Sequence, residues 1–470
     1  MVFQNNVLLG GSGTGTTTHT IDQSIRFDSG DSAVLNKTYS GTGSRTTFTY
    51  STWFKVGDQT DSGSGFPLFN GGTGTSDTTW SGIAYYRGTI YIQGYSTNWK
   101  LTTRKLRDPS AWYHIVWVWD TTNAVATERT RLYINGVRET DFSTDNNPGA
   151  SANAGIGQAQ QHSIGYQSRT VGWGYADAYF AEMVFLDGTA TDCNSFAEFN
   201  SNGIWVPKDV SGLTFGTNGF HIDGRDSADL GDDESGQGND YTASGLAAHD
   251  QVLDSPTNNF CVMNSIENVP CTFTQGNLTI DSTANFSGNA IRGTVHIRGG
   301  STGKWYYEVV GSLTGDYFST GWMLSSIITP GSTVIGQDVG SVAFYNTGSY
   351  QNTTNAQGVI TKPAAGDVIG VGLDASTGQV FLRDDSGWYV GTLSSNALSS
   401  GVVITGFSGE DLVMASRNSS SGTATYNFGQ DGTFAGAKTA QGNTDANGIG
   451  NFFYTVPDDF LAICTKNLGS

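Results

Sequence analysis

Apolar residues along the chain alternate with a period of two far more often than with a period of 3.6. Residues 46–56 (TTFTYSTWFKV) place Phe48, Tyr50, Phe54 and Val56 at even spacing, the period of a strand with one buried face. Residues 83–93 (IAYYRGTIYIQ) hold Arg87-Gly88 between two aromatic runs and predict a hairpin. Residues 112–120 (WYHIVWVWD) are apolar on both faces, as in a central strand of a layered structure. Residues 130–137 (TRLYINGV) end in Asn135-Gly136, a strong hairpin signal because both residues tolerate positive φ. Another strand is predicted over 178–186 (AYFAEMVFL). No window of twelve residues sustains a helical period. The best helical candidate is 192–200 (DCNSFAEFN), with Asp192 as its cap.

Past residue 206 the character changes. An acidic loop at 231–240 (GDDESGQGND) and a polar stretch ending in Asp254-Ser255-Pro256-Thr257 read as a return segment followed by a connector. A second strand-rich region begins at Phe260 and includes 304–310 (KWYYEVV), 367–373 (DVIGVGL) and 378–383 (GQVFLR), the last two pairing around a turn-rich loop. Short strands separated by Gly-rich turns predict sandwiches rather than parallel sheets. The expected organisation is all-β: an extended N-terminal arm over 1–20, one antiparallel sandwich over 21–245, a connector over 246–259, and a second sandwich over 260–470.

Composition narrows the function. Charged residues make up 14% of the 470, Gly accounts for 64, and the formal net charge is −19. Phosphate contacts need clustered Lys and Arg, so this balance argues against nucleic-acid binding and against docking on an anionic membrane. The aromatic content of 12% argues against disorder. The first ten residues (MVFQNNVLLG) lack a basic start and an unbroken apolar run, so synthesis and folding in a cytosol are expected. Four cysteines are too few for a disulfide framework and are expected to be buried thiols, although Cys261 and Cys271 are close enough in sequence to pair across a hairpin. Residues 10–20 (GGSGTGTTTHT) have almost nothing to bury. Fixing each residue costs on the order of 1–2 kcal/mol, so order there implies a partner, a neighbouring subunit, or packing on the arm's own domain.

Several segments carry a resemblance. Residues 23–36 (QSIRFDSGDSAVLN), 48–54, 112–122 (WYHIVWVWDTT), 131–136 (RLYING) and 180–187 (FAEMVFLD) are similar to the laminin-G-like, concanavalin-A-like jelly roll. The loop 233–240 resembles that family's Asp-Ser-Ser-Gly-Asn-Gly-Asn turn, but follows the last strand instead of preceding the first. Residues 303–310 (GKWYYEVV), 366–383 (GDVIGVGLDASTGQVFLR) and 427–434 (NFGQDGTF) resemble a SPRY-type sandwich. The tandem, together with 3–9, 254–260 (DSPTNNF) and 457–468 (PDDFLAICTKNL), is similar to structural proteins of tailed bacteriophages, especially marine ones. The resemblance implies a virion-surface protein such as a tail fibre, spike or head fibre, synthesised in the host cytoplasm. It would be anchored to other virion proteins through residues 1–20, with Phe3, Val7, Leu8 and Leu9 as anchoring side chains, and would carry lectin-like modules toward a host cell-surface glycan. Fibres of this kind are commonly homotrimers, but no heptad stretch specifies one here.

Motifs of catalysis are missing. Glycosidases on the concanavalin-A-like fold align three acids on one strand, and no such run occurs; the acids 232–234 are contiguous in a loop. The six histidines are scattered, without His-Glu-x-x-His, Cys-x-x-Cys or a Gly-x-Ser-x-Gly elbow. His114 is expected in the core. The chain is therefore read as non-enzymatic, with an architectural capsid-decorating role and a polysaccharide depolymerase as alternatives. Asp232, Asp233 and Asn239 form a candidate calcium site, since hard cations take clustered oxygens; the competing reading is a solvated acidic turn. Sugar rings stack on exposed aromatic faces, which makes Trp173, Tyr175, Trp80, Trp99 and, in the second region, Trp388 candidate carbohydrate platforms. Trp173 lies between two glycines, which lets its ring stand clear of a sheet.

Overall fold

The computed structural model describes residues 19–57, 65–72, 80–167, 173–267, 271–282, 290–311, 318–327, 335–336, 338–345, 349–352, 356–359, 364–418 and 422–469. The protein is all-β, and its described residues divide into two compact units at Asn258/Asn259.

In the first unit two eight-stranded antiparallel sheets face each other. One runs in the order Val137–Arg138, Thr130–Ile134, Trp112–Asp120, Thr47–Val56, Ala178–Asp187, Ser24–Phe27, Gln251–Val252, with Phe220–Ile222 also paired to Ala178–Asp187. The other runs Phe142–Asp145, Thr97–Thr102, Thr89–Gly94, Ser81–Tyr86, Phe66–Gly71, Gln161–Ile164, Val34–Thr38, Thr242–Ser244. Inward residues at alternate positions fill the space between them. Phe48 meets Trp117 edge-on at 5.0 Å, and Tyr50 stacks on Phe69 at 4.7 Å.

The Trp112–Asp120 strand is apolar on both faces because the first sheet carries a third layer. On its outer face Val116, Val118, Val184 and Leu186 pack against Cys193, Phe196, Val210 and Phe215 from the segment that follows the Ala178–Asp187 strand. The helical candidate at 192–200 belongs to this layer and forms only one 3-10 turn, Cys193–Ser195, before extending as strand Ala197–Phe199. Asp192 does cap it, accepting from Asn194 N at 3.0 Å. Both hairpin turns take positive φ as their sequences demand: Arg87 50° with Gly88 84°, and Asn135 48° with Gly136 79°.

The stretch read from the sequence as a connector is built into this unit. Gln251–Val252 pairs with Ser24–Phe27, Asp254 is fully buried, and the Ile21 carbonyl accepts from Ser255 Oγ at 2.6 Å and Thr257 Oγ1 at 2.5 Å. The chain therefore enters and leaves the first unit along one seam.

The second unit has a nine-stranded and a six-stranded sheet, with Trp305, Tyr307, Trp322, Phe344, Tyr426 and Phe428 between them. As expected, the strands over 367–373 and 378–383 are neighbours, pairing as Val368–Asp374 and Gln379–Asp384. Phe460–Ala462 joins the Lys304–Gly311 strand in parallel. Cys261 and Cys271 are free thiols, as are Cys193 and Cys464; all but Cys271 are buried.

Candidate functional site

The aromatic candidates of the first unit separate once placed. Trp173 lies across the outer face of the second sheet, its ring 5.4 Å from Tyr86 and 5.9 Å from Tyr91. The register explains this meeting. Ala84 pairs with Tyr91 and Tyr86 with Thr89, which puts Tyr86 and Tyr91 on one face, while Ile83, Tyr85, Ile90 and Ile92 point into the core. Gly65 makes room for the indole: a Cβ there would collide with the Trp173 ring. Trp173 therefore lies against the sheet instead of standing clear of it, and all three rings remain half-exposed. Tyr175 stacks on Tyr166 at 4.0 Å between centroids, both half-exposed.

The other candidates behave differently. Trp80 is only 3% exposed and donates Nε1 to Asn70 Oδ1 at 3.4 Å, so it is a buried packing residue and offers no surface platform. Trp99 is half-buried against Trp119, 4.7 Å away, and fills the space above Gly94. In the second unit Trp388 is half-exposed on the Gly387–Val390 strand, with the Arg383 guanidinium 5.6 Å from its ring. Phe3, Val7, Leu8 and Leu9 lie outside the described residues.

The acidic loop satisfies itself. Asp233 is buried; its Oδ1 accepts from His221 N and Ser235 N at 2.9 Å each, and its Oδ2 accepts from Ser235 Oγ and Asn239 N at 2.8 Å each. Asn239 donates its amide to the Thr217 and Gly219 carbonyls. The four donors fill the lone pairs of Asp233, the local bonding of an acidic turn, so Asp233 has none left for a cation; Asp232, the third candidate, is half-buried beside it. Among the described residues no three His, Cys, Asp or Glu side chains converge as metal ligands.

A buried polar cluster on the outer face of the first sheet escapes sequence reasoning. Within the Ala178–Asp187 strand the register slips between Ala181 and Val184, and Glu182 takes φ 47°. This bulge turns the carboxylate into the third layer. Its Oε2 accepts from His221 Nε2 at 3.1 Å, and its Oε1 lies 3.6 Å from His19 Nε2. Burial opposes its ionisation, but the two imidazoles prevail and hold the carboxyl at about 2. The Glu182 carboxylate in turn raises His19 above the usual imidazole range, and it raises His221 against the opposing effect of burial. The one sequence signal was a lone acid inside an apolar strand.

Beside this cluster, Ser51 Oγ lies 2.8 Å from His114 Nε2, a distance suited to a nucleophile and its base. The other ring nitrogen argues against that role. Trp205 donates its indole N–H to His114 Nδ1 at 3.0 Å. Burial pushes the imidazole down to about 3, so the neutral ring carries its proton on Nε2 and donates it to Ser51. His114 is the core histidine its strand position predicts.

Residues 27–192 match the family described as the concanavalin A-like lectin/glucanases superfamily, and residues 304–413 match the SPRY domain. The chain carries a concanavalin A-like domain followed by a SPRY domain. No curated protein matches the sequence. Similar solved structures include the TRIM65 PSpry domain, with 12% identity over 35% of this chain and 89% of that one and a TM-score of 0.27. The human HERC1 SPRY domain shares 10% identity over 35% of this chain and 96% of that one, at 0.27. Stonustoxin shares 15% over 36% of this chain, at 0.28, and this chain spans 27% of stonustoxin's length. The first sandwich is the concanavalin A-like domain, and its Trp173 platform lies on the sheet that contains the Ser81–Tyr86 and Thr89–Gly94 hairpin.

Proposed function

We propose that the protein is a non-enzymatic carbohydrate-binding component of a phage virion surface, attached to other virion proteins through residues 1–20 and presenting its two sandwiches to host-surface glycans. The observation that carries the glycan reading is the half-exposed platform of Trp173, Tyr86 and Tyr91 on a rigid sheet. Aromatic faces take the apolar faces of sugar rings at little entropic cost because the rings are already packed. The lectin-like description of the matched family supports it. The absence of a catalytic role is supported by His114, whose basic nitrogen is occupied by Trp205, and by Glu182, whose carboxylate is held by two histidines.

A glycan array probed with the full chain tests binding. Retention on at least one polysaccharide, reduced in Trp173→Ala, is the expected result; no retention on any glycan would leave the architectural role in its place. Immunogold labelling of purified phage particles tests the virion assignment separately.

A further inference from the structure

We propose that the Trp173 platform selects an anionic polysaccharide, a chain of sugar rings bearing carboxylate or sulfate groups. This inference rests on the glycan-binding reading above and names the class of ligand. It is carried by charge. The chain as a whole is strongly acidic at −19, yet residues 78–107 contain no Asp or Glu and hold Arg87, Lys100, Arg104, Lys105 and Arg107. Folding brings three of these cations together beside the aromatic platform. Arg87 begins the turn of the Ser81–Tyr86/Thr89–Gly94 hairpin, and its guanidinium lies 5.1 Å from the Tyr86 ring centroid. Gly88, at φ 84°, lets the segment after Thr97–Thr102 close over the turn: Leu106 N donates to the Gly88 carbonyl at 2.6 Å and Lys105 Nζ to the Arg87 carbonyl at 2.8 Å. A Cβ on Gly88 would meet Lys105 Cδ at 3.2 Å and Arg107 Cγ at 3.3 Å, so both side chains flank the turn.

Arg87, Lys105 and Arg107 are all exposed, and among the described residues none makes a salt bridge. Of the acids that flank this stretch, Glu139 lies 3.8 Å from Arg104, and Asp108, which accepts from Ser110 N and Oγ, forms no ion pair with Arg107 among the described residues. Each remaining basic group therefore has its charge available, and the two guanidinium forks match a carboxylate or a sulfate in two-point geometry. The rings of Tyr86, Tyr91 and Trp173 lie alongside to take the sugar faces. A neutral glycan would use the rings and leave the cations idle; the field of the acidic chain opposes every polyanion alike, and the oligonucleotide arm of the test below separates a nucleic acid from a polysaccharide.

The test is binding of the full chain to immobilised polygalacturonate, dextran sulfate, dextran and a single-stranded oligonucleotide, at 50 and at 200 mM salt. Retention on polygalacturonate or dextran sulfate, weakened by salt, is expected, and the stronger of the two identifies the acidic group. Combined Arg87→Ser, Lys105→Ser and Arg107→Ser replacements should lower that affinity by roughly tenfold, as exposed charge pairs of this number do. The thermal midpoint, measured alongside, should not move, because the three side chains are exposed. Binding to dextran or to array glycans without preference for the anionic polymers overturns this inference and leaves the glycan reading standing. Binding to no polysaccharide overturns both. Equal retention on the oligonucleotide, or anionic binding unchanged by the triple replacement, also overturns the inference.

Discussion

Lys55 Nζ and Asp254 Oδ2 form an ion pair 2.7 Å long with both side chains fully buried. Asp254 uses its other oxygen to accept from Trp112 Nε1 at 3.0 Å, and its carbonyl accepts from Ser24 Oγ at 2.6 Å. The Lys55 ammonium also lies 5.7 Å from the Tyr179 ring centroid. Asp254→Ala strands a buried cation and should destabilise the first unit by about 3–5 kcal/mol, whereas a Lys55→Met, Asp254→Leu double variant should recover most of that loss. Equilibrium urea unfolding of both variants checks this; a double variant as unstable as the single one would contradict it.

The His19–Glu182–His221 cluster gives the first unit a definite pH response. Glu182 has a folded value of about 2, below its ordinary 4.5, so its contribution is present above about 4.5 and is lost as pH falls toward 2. The two histidines are raised above 6.5, so theirs is present below about 6.5 and is lost as pH rises through their folded values. The cluster's stabilising effect should therefore be largest between about pH 4.5 and 6.5. Thermal midpoints of the wild type and Glu182→Gln across pH 3–8 should differ most inside that window and converge outside it.

Glu308 in the second unit is fully buried and receives four donors. Oε1 accepts from Tyr306 Oη and Tyr454 N, and Oε2 from Asn427 Nδ2 and Phe453 N. Burial nonetheless raises its carboxyl to about 7. Glu308→Gln turns one accepting oxygen into an amide facing two donors. Above about pH 7, where the native carboxyl is ionised, the expected cost is about 1–3 kcal/mol, read as a lowered denaturant midpoint. Because the folded value is raised, the native state keeps its proton while the unfolded chain gives it up, so stability should fall as pH rises from about 4.5 to 7.

Gly136 sits at φ 79°, and a Cβ there would approach the Trp205 ring to 2.5 Å. Gly136→Ala therefore strains the backbone and displaces the indole that donates to His114. A loss of more than about 1 kcal/mol is expected, with a change in tryptophan emission on the native baseline. An unshifted spectrum with normal stability would show that Trp205 is held from elsewhere.

Much of this architecture is readable from one sequence because its signals are local. The period of two in 46–56, the Arg87-Gly88 and Asn135-Gly136 turns, and the doubly apolar 112–120 strand each state their structure within about ten residues. What stayed hidden depends on distant partners. Lys55 and Glu308 look like solvent-facing charges on their strands, and only residues about 200 and 145 positions away make them buried ones. Glu182 gives no hint of its positive φ, because a bulge is set by the neighbouring strand. Trp80, Trp99 and Trp173 are alike in sequence as aromatic residues among polar and small ones; whether a ring lies on a sheet face or inside the core is set by distant partners, Asn70 for Trp80, Trp119 for Trp99, and Gly65, Tyr86 and Tyr91 for Trp173.

The seam that joins Ser24–Phe27 to Gln251–Val252, closed by Ile21 with Ser255 and Thr257, has a mechanical consequence. A tether pulled between residue 19 and residue 259 loads the two ends of the first unit from the same side. Its antiparallel rungs then open one after another, starting from the Ile21 contacts with Thr257 and Ser255 and reaching the Lys55–Asp254 latch next. The Ser81–Tyr86 and Thr89–Gly94 strands under Trp173 belong to the other sheet, so that sheet keeps its shape until the seam gives way.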